Sequence, residues 1–330
     1  MQQTLNINQI TYYVSDDFDE LSAFIDVALP YPFTSSMLNL LKAENLYPQK
    51  YYFCKRDDHY ALFITYIEKL NIFTFGKADI RVKVTVVGYP CSLCYPGYYT
   101  DNMEFLFECV RLLKGPVLIL NNDTVPAVKG VSVGETLPTC MLELPTGSFD
   151  EYLSKMRYPY RRRISAGIRH CKNITFEITD DSPVNIHELY LNTYNKSDYK
   201  LERLEEGFFE KVDGKRIIYY QDGRPVSFTL LKEVEDTLIF MLCGMDYSVK
   251  TADLYYYMLS NIVKYAYDNN CKFVDFGQTS ENTKLKFGAK LEKKYYVAFH
   301  SNKLINALFH LANSVFEYKY SFPEYHVFKE

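Results

Sequence analysis

The clearest indication of the fold is the stretch TLIFMLCGMDYSVKTADLYYYMLSNIVKYAYDNNCKFVDF, residues 237–276. Its first apolar run, 237–243, predicts a buried strand, and the short run 272–276 predicts another. Between them, residues 251–269 have one apolar helical face, formed by Leu254, Met258, Ile262, Tyr265 and Ala266. A strand, a helix and a strand in this order are typical of a crossover that lays a helix on a sheet.

This crossover predicts where a ligand would bind. A strand that leaves its neighbour near its end opens a notch in the sheet, and the unpaired amides at the start of the next helix point into that notch. An anionic group such as a pyrophosphate fits there. The sequence predicts that the notch is formed by Cys243, Gly244 and Met245, with Ser248, Lys250 and Thr251 at the start of the helix.

The same order of elements occurs twice along the chain. Its 330 residues are also enough for two domains of ordinary size. We therefore predict an α/β (α+β) protein with mixed sheets, divided into domains 1–147 and 148–330. The first half is expected to hold a helix at 36–44, a hairpin at 51–67, a strand at 81–87, a helix at 102–113 and a strand at 117–120. The second half is expected to hold a helix at 183–195, a hairpin at 216–232, the crossover, and a further strand at 291–300. A connecting region rich in Pro, Gly and Thr, 121–147, surrounds a predicted strand at 139–144.

Composition narrows the class of protein. Apolar residues make up 48% and charged residues 24%, which is ordinary for a globular chain, and the net charge of -4 argues against a surface built to bind nucleic acid throughout. This net charge is compatible with a local basic patch. No run approaches the roughly 20 apolar residues that span a bilayer, so we expect a cytoplasmic protein without membrane insertion. The CxxC of Cys91 and Cys94 lacks two further ligands at matching spacing, so no metal is expected.

A basic cluster lies between the two halves, after a capping box formed by Ser148 and Glu151. Guanidinium groups match phosphate oxygens bidentately, so the cluster can hold the phosphates of coenzyme A, a tRNA end or a phosphorylated acceptor. A solvated helix face is the alternative. The residues predicted to bind substrate here are Arg161, Arg162 and Arg163.

A second group follows the end of the last crossover strand, where open α/β sheets usually bind ligands. It consists of Asp275, Gly277, Gln278 and Ser280. Asp275 is the predicted catalytic residue that orients or deprotonates an amine. Its alternative role is to cap the predicted helix 281–287, with Ser280 at the N-cap.

Three further side chains are candidates. Within the run Tyr255 to Tyr257, a phenol near the notch would protonate a departing thiolate, and Tyr257 is the predicted residue; packing is the alternative. Lys284 flanks the helix after the second group and is predicted to contact the donor. Cys243 ends an apolar strand with no His close in sequence, which favours a core thiol over a nucleophile.

Two segments resemble the Fem-type peptidoglycan aminoacyltransferases and related tandem proteins of the acyl-CoA N-acyltransferase (GNAT) superfamily. SFDEYLSKMRYPYRRRISAGIRH, residues 148–170, is similar to the helix and RRxI segment that leads from the first GNAT-like domain into the second. KFVDFGQTSENTKLKFGAKLEKKYYVAF, residues 272–299, is similar to the strand, short helix and K-FGA turn before the final hairpin.

The resemblance implies two tandem GNAT-like domains, an active cleft between them, and transfer of an acyl group to an amine. Acyl-CoA is the expected donor, and an amino sugar, an amino acid or a peptidoglycan precursor is the expected acceptor. The phosphate loop Q/R-x-x-G-x-G/A of ordinary acetyltransferases is replaced by VKTADL. Two alternatives therefore stay open, an aminoacyl-tRNA donor and a non-catalytic protein that binds a precursor.

Overall fold

The computed structural model describes residues 3–71, 80–91, 93–182, 186–197, 203–249 and 253–329. The elements up to residue 145 are β1 (Gln3–Ile7), β2 (Ile10–Ser15), α1 (Phe18–Ser22), α2 (Ser35–Ala43), β3 (Gln49–Arg56), β4 (His59–Asn71), β5 (Arg81–Val87), β6 (Tyr98–Thr100), α3 (Met103–Val110), β7 (Pro116–Asn122), β8 (Ser132–Glu135) and β9 (Thr139–Glu143). The elements after it are α4 (Phe149–Lys155), α5 (Tyr158–His170), β10 (Ile174–Thr179), α6 (His187–Lys196), α7 (Glu206–Lys211), β11 (Lys215–Gln221), β12 (Arg224–Val234), β13 (Thr237–Met245), α8 (Leu254–Asp268), β14 (Phe273–Asp275), α9 (Glu281–Leu285), β15 (Lys290–Glu292), β16 (Tyr295–His300) and α10 (Lys303–Phe316).

The chain forms two compact units. The first comprises Met1–Leu137, Leu201–Phe208 and Lys293–Tyr320; the second comprises Pro138–Lys200, Phe209–Glu292 and Ser321–Glu330. The predicted division between residues 147 and 148 was a single cut, whereas β9 pairs within the sheet of the second unit and β16 within that of the first. The predicted strand 291–300 is accordingly two strands, β15 and β16, which belong to different sheets.

The first unit contains a mixed sheet with the order β1-β2-β3-β4-β5-β7-β16-β8 and with β6 paired to β4. Its crossover runs from β5 through α3 to β7. The two strands are parallel, with pairs from Thr85 and Val117 to Val87 and Ile119. Buried side chains of α3, including Phe105 and Leu106, pack against this sheet.

The second unit repeats that arrangement, with strand order β10-β11-β12-β13-β14-β9-β15. Its crossover runs from β13 through α8 to the parallel strand β14. All five side chains of the predicted helical face are buried in one core between α8 and the sheet: Leu254, Met258, Ile262, Tyr265 and Ala266. The predicted mixed α/β architecture with two crossovers is therefore confirmed.

Local signals in the sequence account for several element ends. The predicted capping box is present, since the Ser148 hydroxyl accepts from the Glu151 amide and the Glu151 carboxylate accepts from the Ser148 amide. The turn between β11 and β12 has positive φ at both Asp222 and Gly223, as a tight two-residue hairpin requires. Within the part of the chain that the structure describes, no helix combines the length and the apolar character needed to cross a membrane.

Candidate active site in the second unit

The parallel strands β13 and β14 separate after a short paired stretch. They pair only from Thr237 and Phe273 to Ile239 and Asp275. Beyond Asp275 the chain turns to the other neighbour, because the Phe276 amide donates to Cys140 O (2.9 Å) and Gly277 O accepts from the Cys140 amide (3.2 Å). Strand β13 meanwhile continues to Met245. We call the region between residues 240–245 and residues 276–280, where the two strands no longer pair, the strand gap. It is narrow at its start, since a Cβ atom on Gly277 would lie 3.5 Å from Phe240 O.

A bulge contributes to this separation. Leu230 of β12 pairs with Leu242, whereas the next residue, Leu231, pairs with Phe240. Met241 is therefore the extra residue of a β-bulge, which bends the strand that carries it. The pairing of β13 with β14 thus ends at Ile239, and the part of β13 beyond it includes Gly244.

The backbone of β13 turns amides toward the gap. Because ladder bonds alternate along an antiparallel pair, and the Asp246 amide donates to Val226 O on β12 (2.8 Å), the amides of Cys243 and Met245 point to the side that β14 has left. The Met245 amide donates to Thr193 Oγ1 of α6 (3.1 Å). Of these two predicted donor-contacting residues, Met245 thus already has a partner from α6.

Gly244 lies against the backbone of α6. A Cβ atom at this position would lie 2.4 Å from the carbonyl carbon of Leu189 and 2.5 Å from the nitrogen of Tyr190. Such distances are far shorter than real contacts, so only glycine allows this helix to approach β13. Its hydrogen-bonded neighbour Ser227 donates its hydroxyl to Gly244 O (2.7 Å).

The loop after β14 bounds the other side of the gap and contains strained backbone. Gly277, Thr279 and Ser280 all have positive φ, of 70°, 63° and 52°. A β-branched residue is rarely found in this region, and such strain persists where the surroundings impose it, often at functional sites. Asp275 restrains the start of the loop, because its Oδ1 accepts from Thr139 Oγ1 (2.5 Å) and from the Gly277 amide (2.9 Å).

Lys284 restrains the same loop from α9. Its side chain is buried, and Nζ donates to Gly277 O (3.1 Å) and Gln278 O (2.7 Å). Burial lowers the pKa of Lys284, while the nearby groups of Cys140 and Cys243 oppose that shift. The predicted residues Asp275, Gly277, Gln278 and Lys284 therefore form one connected structure.

The helix α9 begins after Ser280, whose side chain makes no capping hydrogen bond. Its hydroxyl instead interacts with Tyr255, one of the three consecutive tyrosines of α8. Burial raises the pKa of Tyr255 well above its ordinary value, so the phenol keeps its proton at neutral pH. Cys243 of β13 also lies close enough to this phenol to affect its pKa. Tyr255 is therefore located at the strand gap.

Tyr257, the predicted acid, has different surroundings. Its ring packs against Tyr219 of β11 (5.8 Å between centroids) and Phe176 of β10 (6.4 Å). Its phenol interacts with Asn261 one turn along the helix. These contacts bring Tyr257 toward the β10 and β11 edge of the sheet, whereas Tyr255 meets the loop that follows β14.

The thiols near the gap are protonated. Burial raises the pKa of Cys243 to about 11 and that of Cys140 to about 12, although the positive charge of Lys284 acts in the opposite direction on both. A thiolate is the nucleophilic form of cysteine. These values favour the interpretation of Cys243 as a packing residue.

The start of α8 is held by the basic cluster. Asp253 is buried, and its carboxylate accepts from Arg163 (2.5 Å) and His170 (2.5 Å) of α5. The Arg163 guanidinium also lies over the ring of Tyr256, 3.8 Å from its centroid. Asp253 is the N-cap residue, yet its side chain makes no capping hydrogen bond, so it leaves the first-turn amides of α8 without that partner.

The remaining members of the predicted donor and substrate sets lie as follows. Ser248 donates its amide (2.9 Å) and its hydroxyl (2.6 Å) to Asp246, which also pairs with Arg224. Arg161 donates to Ser154 O (3.4 Å), and Arg162 is exposed on the outer side of α5. Lys250 and Thr251 lie outside the described residues.

Sequence reasoning missed several residues that shape this site. Thr193 contacts the Met245 amide from a distant part of the chain, and no local pattern singles it out. Within the run of tyrosines, Tyr257 was the predicted residue, whereas Tyr255 is the one that contacts the loop after β14. Asp253 had a detectable signal, since an Asp directly before a helical run is a preferred N-cap. Among the residues that the structure describes, no group of three or more His, Cys, Asp or Glu side chains is placed to hold a metal ion.

Comparison with known proteins agrees with this geometry. Residues 154–285, which include α5, the crossover and Lys284, match the family model of the acetyltransferase (GNAT) domain. None of the curated protein sequences matches the chain significantly.

Similar solved structures extend the likeness to most of the chain. A tandem GNAT protein from the clavulanic acid biosynthesis pathway has a TM-score of 0.53 and 8% identity, with 89% of this chain and 99% of that chain covered. L-PGS from Bacillus licheniformis has a TM-score of 0.52 and 10% identity, with 88% and 98% covered. FemX has a TM-score of 0.51 and 11% identity, with 94% and 100% covered. The predicted fold of two tandem GNAT-like domains is confirmed, and the second unit carries most of the residues that match the GNAT family model.

Proposed function

We propose that this protein is an N-acyltransferase that moves an acyl group from acyl-CoA to an amine of an amino sugar, an amino acid or a peptidoglycan precursor. The observation that carries the proposal is the strand gap. It lies within the matched GNAT domain, between the amide-bearing end of β13 and the strained loop after β14, with the start of α8 following β13.

The residues around the gap suit an acyl-CoA donor. When bound, this donor supplies a thioester whose carbonyl is attacked and whose thiol departs. The Cys243 amide points into the gap, and the first-turn amides of α8 attract anionic groups because of the partial positive charge at a helix start. Asp253 would repel a phosphate there, but the guanidinium of Arg163 neutralises its charge through a direct ion pair, and His170 occupies the other carboxylate oxygen.

We assign different roles to two residues near the reacting groups, Tyr255 and Asp275. Tyr255 contacts the loop after β14 through Ser280 and lies near Cys243 of β13, and because of this position we assign it to protonate the departing thiolate. Asp275 uses Oδ1 for two hydrogen bonds within the protein, so we assign it first to holding the loop that bounds the acceptor side. Removal of a proton from the amine by the same carboxylate stays a prediction.

Release of free thiol from acetyl-CoA, measured against a panel of amino sugars, amino acids and peptidoglycan precursor peptides, tests the proposal. Replacing Tyr255→Phe should lower kcat by about 100-fold or more, since general acid catalysis contributes on that order. Tyr257→Phe is the matched control, because it removes a neighbouring phenol of the same helix that contacts β10 and β11. Its kcat should stay near that of the wild type.

Two results would contradict this assignment. Equal losses in both variants would remove the special role of Tyr255. Binding of acetyl-CoA without turnover of any amine would favour a non-catalytic protein that binds a precursor.

An aminoacyl-tRNA donor is the second candidate, and the exposed arginines of α5 favour it. Arg162 and Arg169 are exposed, and the described residues include no ion-pair partner for either. Their guanidinium groups suit phosphates of a nucleic acid backbone.

Binding of charged tRNA across a range of salt concentrations separates the two donors. Since each phosphate contact releases counterions, a tRNA donor predicts a steep fall of affinity with salt and a shallower slope after Arg162→Ala. Lys172→Ala, which removes an exposed cation just after α5, serves as a control for net charge. Absence of salt-dependent binding, together with turnover of acetyl-CoA, would exclude tRNA as the donor.

A further inference from the structure

The helix α10 of the first unit turns its apolar side outward. Leu304, Leu308, Leu311 and Val315 recur at helical spacing and are 80%, 61%, 81% and 47% exposed. No residue of α10 is buried, although the helix has a strongly apolar stripe. Helices on globular proteins usually place such a stripe against the core. The orientation of α10 is therefore the reverse of the ordinary one.

Polar side chains fix this orientation. Asn306 Nδ2 donates to Gly130 O (3.0 Å), and Asn313 Nδ2 donates to Val133 O (2.7 Å). Between them, His310 Nδ1 lies 3.2 Å from Ser132 Oγ. Since these three residues recur at i, i+4 and i+7, the polar face of α10 is bound to the segment around β8. The leucines face outward because the opposite face is occupied.

Positive charge borders the amino end of this stripe. Lys303 begins α10, and Lys114 precedes Gly115, whose amide donates to Ser301 Oγ (2.9 Å). Lys129 precedes Gly130, which accepts from Asn306, and the Arg111 guanidinium donates to the Lys129 carbonyl. All four cations are exposed, and none has an ion-pair partner among the side chains that the structure describes.

We propose that α10 and these four cations form a docking surface for an anionic lipid bilayer. Outward leucines insert at the boundary between head groups and acyl chains, and adjacent cations are attracted to anionic head groups. The charges favour this occupant over a second copy of the chain. An antiparallel copy would bring the basic end of one helix to the other end of its partner, where Glu317 and Lys319 together provide no net negative charge to attract it. The area that one stripe of a 14-residue helix could bury is also smaller than the roughly 800 Å² that each partner buries in a standard interface.

Flotation of the full chain with vesicles tests the proposal. Vesicles of phosphatidylcholine alone are compared with vesicles that contain roughly 30% phosphatidylglycerol, an anionic lipid. The wild type should float with the anionic vesicles only. The double variant Leu308→Asp, Leu311→Asp should bind at least about tenfold more weakly, because it removes the inserting side chains. The double variant Lys114→Gln, Lys303→Gln should bind about 30-fold more weakly at low salt.

Matched controls change the same residue types elsewhere on the surface. Leu46 and Ile80 are 56% and 52% exposed, so Leu46→Asp with Ile80→Asp controls for added charge and lost apolar area. Lys172→Gln with Lys290→Gln controls for net charge. Retained binding in both test variants, or equal losses in the controls, would overturn the proposal. Light scattering measures the oligomeric state of the wild type and of the leucine variant. If the wild type is a dimer that does not bind vesicles, and the leucine variant is a monomer, the surface binds a second copy instead.

Discussion

Glycine 244 shows how a single residue can shape the candidate site without contacting a ligand. Its predicted role was to bind the donor, and that role stays a prediction. What the structure adds is a packing requirement, since the α6 backbone at Leu189 and Tyr190 occupies the space of a side chain. Because α6 also supplies Thr193 to the Met245 amide, the position of this helix determines whether that amide is available to a ligand in the strand gap.

Replacing Gly244→Ala should therefore displace α6 as well as lower stability. We expect a loss of about 2 kcal/mol in the free energy of unfolding, in the range of overpacked cores, and weaker binding of acetyl-CoA. Urea unfolding and calorimetric titration measure the two quantities.

Gly223→Ala is the control for this substitution. It lies in the exposed turn between β11 and β12 with no atom within 4 Å of the added Cβ, at a φ of 75°. It should cost about 1 kcal/mol through backbone strain alone and leave acetyl-CoA binding unchanged. A Gly244→Ala protein with wild-type stability would contradict the packing argument.

At the level of elements, Arg163 and His170 of α5 bind Asp253 and so connect the basic cluster to the start of α8. Burial alone would raise the pKa of Asp253, but hydrogen bonds from His170 and Arg163 outweigh it, and the net effect is a pKa below the ordinary value. A carboxylate whose pKa is lowered on folding stabilises the protein above its unfolded pKa. That contribution disappears as the pH falls through the folded pKa, which for Asp253 lies below the ordinary value of an aspartate.

Asp253→Asn should consequently flatten the acid side of the stability profile. Between pH 6 and pH 3, the wild type should lose more unfolding free energy than the variant, as measured by urea unfolding at each pH. Asp268→Asn is the control, because it removes only an exposed pair with Lys264 and should shift stability by less than about 0.5 kcal/mol. If Asp253→Asn follows the wild-type profile down to pH 3, the ion pairs with α5 do not stabilise the helix start.

The crossover elements were predictable because their signals are local. An apolar strand and a helix with one apolar face require only neighbouring residues, and β5, β13 and α8 were found close to their actual limits. The strand gap followed from that order of elements. The strained loop did not, because positive φ at Thr279 and Ser280 is imposed by distant contacts such as those of Lys284. The edge strands β1 and β10 were also missed. The short β1 has little apolar alternation, whereas β10 alternates apolar and polar residues in ITFEIT and was overlooked although that signal was present.

At the scale of the whole molecule, the two units repeat one plan but differ at the crossover. In the first unit, β5 ends at Val87, which is also where its pairing with β7 ends. In the second unit, β13 continues well beyond the last pair with β14. Within the described residues, this comparison locates the opening in the second unit. It also explains why a division at one point in the sequence failed to separate the sheets, because the pairing of β16 with β7 joins residues near 119 and 297, which no local pattern reveals.

We expect an acyl donor to enter the strand gap beside Gly244, and hydrogen–deuterium exchange with and without acetyl-CoA can detect this. Bound donor should slow exchange in peptides that cover 240–246, 254–257 and 276–280, and should leave exchange unchanged in the corresponding first-unit peptides that cover 81–87 and 116–122. Protection of the first-unit crossover, or bound acetyl-CoA that leaves all three second-unit peptides unprotected, would contradict the account.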